Sequence, residues 1–307
     1  MKNNNIIIYH YPASPYAEKV RLMAGYLGVP WHSVDVPIQP PRETLAMLAG
    51  GYRRIPVAQV GADIYCDTAL ISEQIANLAD RRLAEDNDAI TSLADHAEQQ
   101  AFFAAIRQNS QLKTAVGLIM KLGFKGMIAF AKDRATFAVG YAPAMLSPDQ
   151  AKAVFGKYLD DLASHLADQS FLGGDEPCLS DFRCYHPIFL AIAFRSVKTS
   201  QLPAAVKAWM DRVAGFGWGQ VAPMTDREAL EVAHSSSPLA ISEAATQHPD
   251  VGEWVTVSPT DTGKVPVTGT LVGMDAGRIS LLRRSADVGD VHVHFPAVGF
   301  ECTKINQ

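Results

Sequence analysis

The chain lacks most of the features that would assign it at a glance. Its 307 residues include four cysteines, Cys66, Cys178, Cys184 and Cys302. They are scattered, and the six-residue step from Cys178 to Cys184 is not a CxxC pair, so the sequence carries neither a disulfide framework nor a cysteine metal site. Free thiols in a reducing compartment are the expectation. A strong excess of either charge is also missing. The formal net charge is -5, which offers nothing to a polyanion such as DNA. No stretch approaches the roughly 18 apolar residues of a membrane span. The three isoleucines after Met1-Lys2-Asn3-Asn4-Asn5 are too few for a secretory core. A cytoplasmic protein that engages neither nucleic acid nor membrane is therefore expected. Internal repeats and low-complexity tracts are absent as well.

What is present is globular: 48% hydrophobic and 19% charged residues, with length enough for two or three domains. Ile6 to Tyr9 is a short β-branched run that suits a buried strand. Val20, Met23, Ala24 and Leu27 recur at helical spacing and Gly28 stops them. His32 to Val36 alternates as a second strand, and Pro37 to Pro41 is a loop. Leu45 to Leu48 allows a short helix ended by Gly50-Gly51. Pro56 to Val60 and Asp63 to Tyr65 flank Gly61-Ala62 as a hairpin, and Asp67 to Ala79 is helical. This β-α-β-α-β-β-α order predicts a thioredoxin-like domain over 1–82. From 88 to 234 strand signals give way to alanine-rich helical text, an all-helical domain. Strand-like runs return over 250–307, at Trp254 to Val257, Val267 to Val272, Ile279 to Leu282 and Val291 to Phe295. The fold class is α/β plus all-α with a small additional β-barrel-like domain.

Three short stretches carry candidate chemistry, and each has a plain structural reading beside the functional one. Ser14 precedes Pro15, as at many helix starts. The same placement lets a hydroxyl and exposed helix N–H groups stabilise a thiolate. Lowering a thiol pKa by about two units takes roughly 2.7 kcal/mol, within reach of one charge-assisted hydrogen bond and a helix N-terminus. Pro56 opens a strand, which is ordinary for proline; with a cis bond it would also turn the backbone of Ile55 outward to pair with a peptide ligand. Asp67-Thr68 suits an N-cap, and equally a socket for an amino-acid head group, with helix N–H groups for its carboxylate and Asp67 for its ammonium.

Taken in order, these residues resemble the glutathione transferases. Ser14-Pro15-Tyr16-Ala17-Glu18-Lys19-Val20-Arg21-Leu22 looks like the active-site stretch of the omega-like and bacterial branches. Arg54-Ile55-Pro56-Val57 followed by Asp67-Thr68-Ala69-Leu70-Ile71 looks like the family's second motif, and Cys178-Leu179-Ser180-Asp181-Phe182 resembles its capping box. The resemblance spans roughly residues 6 to 233. It implies glutathione as co-substrate with no metal, Ser14 at the sulfur, Ile55 beside cis-Pro56 on the cysteinyl backbone, Asp67 and Thr68 at the γ-glutamyl end, and Tyr11 as a wall of the site. Arg54 either reaches a carboxylate of the tripeptide or is solvated. It further implies a homodimer acting on a small hydrophobic electrophile, as in detoxification. Three departures matter. Thr68 replaces a serine and keeps the hydroxyl. Cys178 replaces a Ser or Thr cap. Ser14 replaces the omega cysteine, which favours thiolate activation over mixed-disulfide chemistry. The alternative is a non-catalytic binding or regulatory protein on the same frame.

Other polar and aromatic residues stay open at this level. Tyr9 and His10 flank the first turn. Phe102, Phe103, Arg107, Met120 and Phe124 fall where family helices line a second pocket, and equally suit a core. Asn109, Ser110 and Lys113 have no assignable place. His292 and His294 share one strand face, and two histidines without a third ligand do not make a metal site. In the C-terminal segment Val255, Val257, Leu271, Ile279, Leu281, Val291, Val293 and Phe295 form the expected inward set. So small a β unit has little core of its own, so it is expected to dock on the helical domain or a second subunit in an assembly role.

Overall fold

The computed structural model describes residues 5–108, 111–137, 139 and 145–305, with the backbone alone at 111–122. Two compact units divide the chain. The first gathers Met1–Ala17, Val29–Leu78 and Gln220–Gln307, the second Glu18–Gly28 and Ala79–Gly219.

In the first unit β1 (Ile6–His10) lies parallel to β2 (Trp31–Asp35). β3 (Val57–Val60) runs antiparallel to β1, and β4 (Asp63–Cys66) returns antiparallel to β3. All five residues of β1 are buried, as its continuous apolar run requires of a central strand. Helix α1 (Pro15–Leu27) follows β1, α2 (Glu43–Ala49) follows β2, and α3 (Thr68–Leu78) follows β4. This is the thioredoxin-like frame.

The C-terminal strands are β6 (Trp254–Pro259), β7 (Val267–Met274), β8 (Arg278–Ser285), β9 (Gly289–Pro296) and β10 (Phe300–Lys304). β6 to β9 form an antiparallel meander, and β10 comes back to pair with β6. Within the first unit the segment joins the thioredoxin-like sheet, a contact that the expected docking on the helical domain or a second subunit did not include. β9 pairs parallel with β4, Asp63 opposite His292 and Tyr65 opposite His294, so the five strands extend the four-stranded thioredoxin-like sheet to nine, and a tenth lies on its other edge. The reason lies in β4. As the last strand of the small sheet it would present a row of unpaired N–H and C=O groups, and β9 satisfies them. The other edge is covered too: β5 (Val221–Pro223) lies parallel to β2. Its three residues are all exposed, so no alternation reveals it, and the sequence reading places it in helical text.

All eight residues of the expected inward set are buried. They share one core with Ile7, Tyr9, Val57 and Ile64 of the older strands and with Leu45 and Leu48 of α2. The helix α10 (Asp226–His234), capped by Thr225, adds Ala229 and Ala233 to it. Gln59 ties these parts together: it accepts a hydrogen bond from the Tyr9 hydroxyl (2.5 Å) and donates to the Ala229 carbonyl (3.0 Å). Gly50 shows how tightly the C-terminal strands close on α2. It caps that helix at φ 68°, and a Cβ there would stand 2.5 Å from Val267 and 2.4 Å from Arg283.

The second unit is helical. α4 (Asp88–His96) passes through a π turn at Ala97–Ala101 into α5 (Phe102–Arg107). Then come α6 (Gln111–Phe137), interrupted at Gly123, α7 (Pro148–His165), α8 (Leu179–Ala193) and α9 (Ala204–Ala214). Asp181 anchors the start of α8, accepting from the backbone N–H of Cys178 and Leu172 (2.9 Å each) and from the Trp209 indole (2.7 Å). The Cys178 departure thus leaves the carboxylate half of the box intact.

Candidate functional site

Strand register brings the three sequence stretches together. Tyr9 lies opposite Val57, and Val57 opposite Cys66. The residues just beyond these positions are therefore neighbours at one end of the sheet: Tyr11 to Ser14 after β1, Ile55-Pro56 before β3, and Asp67-Thr68 after β4. Two helix N-termini, those of α1 and α3, start there. That end offers oriented N–H groups and positive dipole ends to an anion.

Ser14 is 1% exposed and caps α1, its Oγ accepting from the Ala17 N–H at 3.2 Å. Its own N–H donates to the Tyr11 carbonyl at 3.0 Å, closing the turn. A serine hydroxyl has one proton and two lone pairs. Capping uses a lone pair and leaves the O–H as a donor, so the structural and functional readings of Ser14 are compatible. Tyr11 is partly buried and packs against the sheet core.

The Ile55–Pro56 peptide bond is cis, and the Ile55 side chain is buried. Asp67 adopts φ 77° and its Oδ1 accepts from the Ala69 N–H at 3.1 Å, while Thr68, buried, opens α3. The surroundings of Arg54 go beyond the sequence alternatives. It donates to Asp67 Oδ2 at 3.5 Å, to the Thr262 carbonyl at 2.6 Å and to the Asp261 carboxylate. Burial works against its charge, and Tyr52, Asp261 and Asp67 outweigh it, so the guanidinium is held above its ordinary range. Asp261 and Thr262 lie between β6 and β7, where no sequence signal linked them to this site. Burial also pushes the Cys66 thiol up, so the cysteine next to Asp67 is no thiolate nucleophile.

The remaining charges of the first motif serve the helical unit. Arg21, fully buried, donates to Glu18 at 2.6 Å and stacks over Trp218 at 4.2 Å. Lys19 pairs with Glu98 at 2.6 Å, and Arg183 reaches the same carboxylate at 2.8 Å. Burial would raise the Glu98 carboxyl; Lys19 and Arg183 outweigh it and hold it at about 2. Among the pocket candidates Phe102 is core, Phe103 is partly buried against it at 5.3 Å, Arg107 donates to the Leu146 carbonyl and Phe124 is exposed. Asn109 and Ser110, and the side chains of Lys113 and Met120, lie outside the described residues.

The two C-terminal histidines do have a third neighbour. Asp63 Oδ1 lies 2.9 Å from His294 Nε2 and 3.9 Å from His292 Nδ1. Sequence reasoning missed it because Asp63 is more than two hundred residues away, in a hairpin that the sequence reading assigned to a different domain.

Residues 8–82 match the family model described as Glutathione S-transferase, N-terminal domain. A solved GST-like protein from Pseudomonas syringae is similar over 98% of this chain and 100% of its own, at 28% identity and a TM-score of 0.73. FzlA from C. crescentus is 19% identical over 68% of this chain and 87% of its own, with a TM-score of 0.46. A glutathione S-transferase from Sinorhizobium meliloti 1021 is 17% identical over 68% and 88%, with a TM-score of 0.49. No curated protein matches. Among the described residues no helix is long and apolar enough to cross a membrane.

Proposed function

We propose that this chain, a glutathione-transferase-like protein, binds glutathione at the Ser14 end of its sheet and presents the thiolate to a small hydrophobic electrophile. The observation that carries the reading is the register of Tyr9, Val57 and Cys66, which collects a hydroxyl at one helix start, a cis-proline edge and a carboxylate at a second helix start. The Ser14 O–H donates to the glutathione sulfur, and the α1 N-terminus adds to the stabilisation of its charge. The Ile55 backbone pairs with the cysteinyl unit. Thr68 and the α3 N–H groups take the γ-glutamyl carboxylate, and Asp67 takes its ammonium. Activation then rests on a pre-formed anion site and on proximity, with no covalent enzyme intermediate. Family likeness further supports a cytoplasmic homodimer.

A second reading, a non-catalytic binding or regulatory protein, is favoured by one pairing: Asp67 already carries Arg54, itself tied to Asp261. One experiment separates the two. Calorimetric titration with glutathione, followed by ultraviolet detection of bound thiolate at neutral pH, gives binding and a thiolate band under the transferase reading. Absence of binding by the folded protein establishes the second. Binding without thiolate leaves a glutathione-binding protein that does not activate its ligand.

A further inference from the structure

β9 carries a second constellation of polar side chains, remote in sequence from the residues assigned above. Val291, Val293 and Phe295 face the core, so His292 and His294 face the other side of the sheet. The parallel register places Asp63 beside His292 and Tyr65 beside His294, and the antiparallel partner β8 places Ser280 opposite His294. The Asp63, His292 and His294 ligand atoms all lie within 4.8 Å of one another. Their side chains are 2%, 13% and 4% exposed. Asp63 and His294 are held in orientation by their partners. Asp63 Oδ2 accepts from the Leu239 N–H at 2.9 Å. His294 is held at Nδ1 by the Ser280 hydroxyl (2.9 Å) and stacks on Tyr65 at 4.9 Å. Among the described residues His292 Nδ1 is buried with no hydrogen-bond partner.

We propose that Asp63 Oδ1, His292 Nδ1 and His294 Nε2 bind a divalent first-row transition ion, with zinc as the type case. Three donors about 2.1 Å from one ion stand roughly 3.0–3.4 Å apart. The Asp63–His294 pair, at 2.9 Å, needs to open by about 0.1 Å or more, and the Asp63–His292 pair, at 3.9 Å, to close by about half an ångström or more. Two imidazoles and one carboxylate suit zinc, and three protein ligands leave a coordination position open. Asp63 and His294 line a cleft of about 420 Å³, together with Tyr65, Ser280 and the ion-paired Glu73 and Arg278. The open position therefore has a space in which to receive water or a small ligand. Ser280 and the Leu239 N–H are the outer-shell contacts that such sites use to fix a ligand's tautomer and angle. Burial lowers both histidine pKa values. For His292 the neighbouring His294 adds to this, against Asp63 and the Leu239 backbone; for His294 Asp63 opposes it. Binding the ion at His294 Nε2 displaces the proton that this atom donates to Asp63, and the other tautomer then donates from Nδ1 to Ser280 Oγ.

The same atoms also form a Ser280–His294–Asp63 hydrogen-bond chain, which on its own is the layout of a nucleophile relay. That reading leaves His292 Nδ1 buried and unused, whereas the ion engages it. The test uses the tag-free full chain, stripped with chelator and titrated with Zn2+ against a chromophoric competitor. Wild type is expected to take up one equivalent, and Co2+ in its place to give visible absorption. His292→Gln and Asp63→Asn should weaken zinc by roughly 100-fold or more, and Ser280→Ala by about 10-fold. His292, at the edge of the cluster, is the variant least tied to folding; an unchanged thermal midpoint certifies it, so the test stands even if Asp63→Asn fails to fold. Zinc affinity equal in wild type and a folded His292→Gln protein overturns the proposal. Labelling of Ser280 by a fluorophosphonate in the presence of chelator, with no zinc uptake, replaces it with the relay.

Discussion

Asp63 and Asp67 bracket one four-residue strand, roughly 13 Å apart along it, and their surroundings differ in kind. Asp63 is 2% exposed, with one oxygen against His294 and the other on the Leu239 N–H. Asp67 is 25% exposed, sits at positive φ, and is shared between the Ala69 N–H and the Arg54 guanidinium at 3.5 Å. The first is held by partners that do not leave. The second has only a 3.5 Å contact to Arg54, whose shorter bonds run to Asp261 and Thr262; under the proposed function a ligand's ammonium takes that place. The difference separates a pre-built socket from an exchangeable one. It comes from what was added to β4: β9 seals its Asp63 end, while the Asp67 end opens onto helix starts.

The most severe way to break the comparison is to remove β9 and its neighbours. A chain ending at Ser237 loses all eight inward residues of the C-terminal strands. Each is worth about 1.5–3 kcal/mol when fully buried, so the loss is on the order of 12–24 kcal/mol, as large as a domain's whole stability. Circular dichroism should show no cooperative melt of the thioredoxin-like part, and calorimetry no glutathione binding. A truncated chain that melts cooperatively and binds glutathione would make the strands an appendage.

Asp67→Ala targets the exchangeable end alone. Glutathione affinity should fall by roughly 2–4 kcal/mol through the unpaired ammonium, with the melt barely changed. Equal calorimetric affinity in mutant and wild type would remove Asp67 from the site. Ser14→Ala comes next. Losing the cap should cost about 1 kcal/mol of stability, and the ultraviolet titration of bound glutathione should move to higher pH. Titration curves that overlay wild type leave Ser14 as a cap only. The smallest effect belongs to Asp261→Asn. Its carboxylate is 42% exposed, so stability should change by about 0–1 kcal/mol. Freed from Asp261, Arg54 should compete harder for Asp67 and lower glutathione affinity less than about ten-fold, roughly 1 kcal/mol. A stronger glutathione affinity instead would mean that Arg54 assists the ligand.

The sequence reading reached the thioredoxin-like order, the helical stretch and the buried face of the late strands because each leaves a local mark. Ser14 before Pro15 and Asp67 before Thr68 read as helix starts, and both are. It missed β5, with no buried face to alternate, and β10, whose Phe300 alone is buried. It left Arg54 between two roles, since neither Asp261 nor Thr262 stands near it in the chain.

Period and propensity determined which residues of the last sixty turn inward, because a strand's two faces are set by adjacent residues alone. They also determined the three stretches that resemble glutathione transferases, since helix caps and a strand-opening proline are local chemistry. Which edge β9 would join was decided only by the tertiary structure. Pairing depends on which backbone N–H and C=O groups remain unsatisfied once β1 to β4 have formed, and a sequence separation of 231 between Asp63 and His294 carries no trace of that. The meeting of Asp63 with two histidines follows from that pairing, and so does the hold of Asp261 on Arg54.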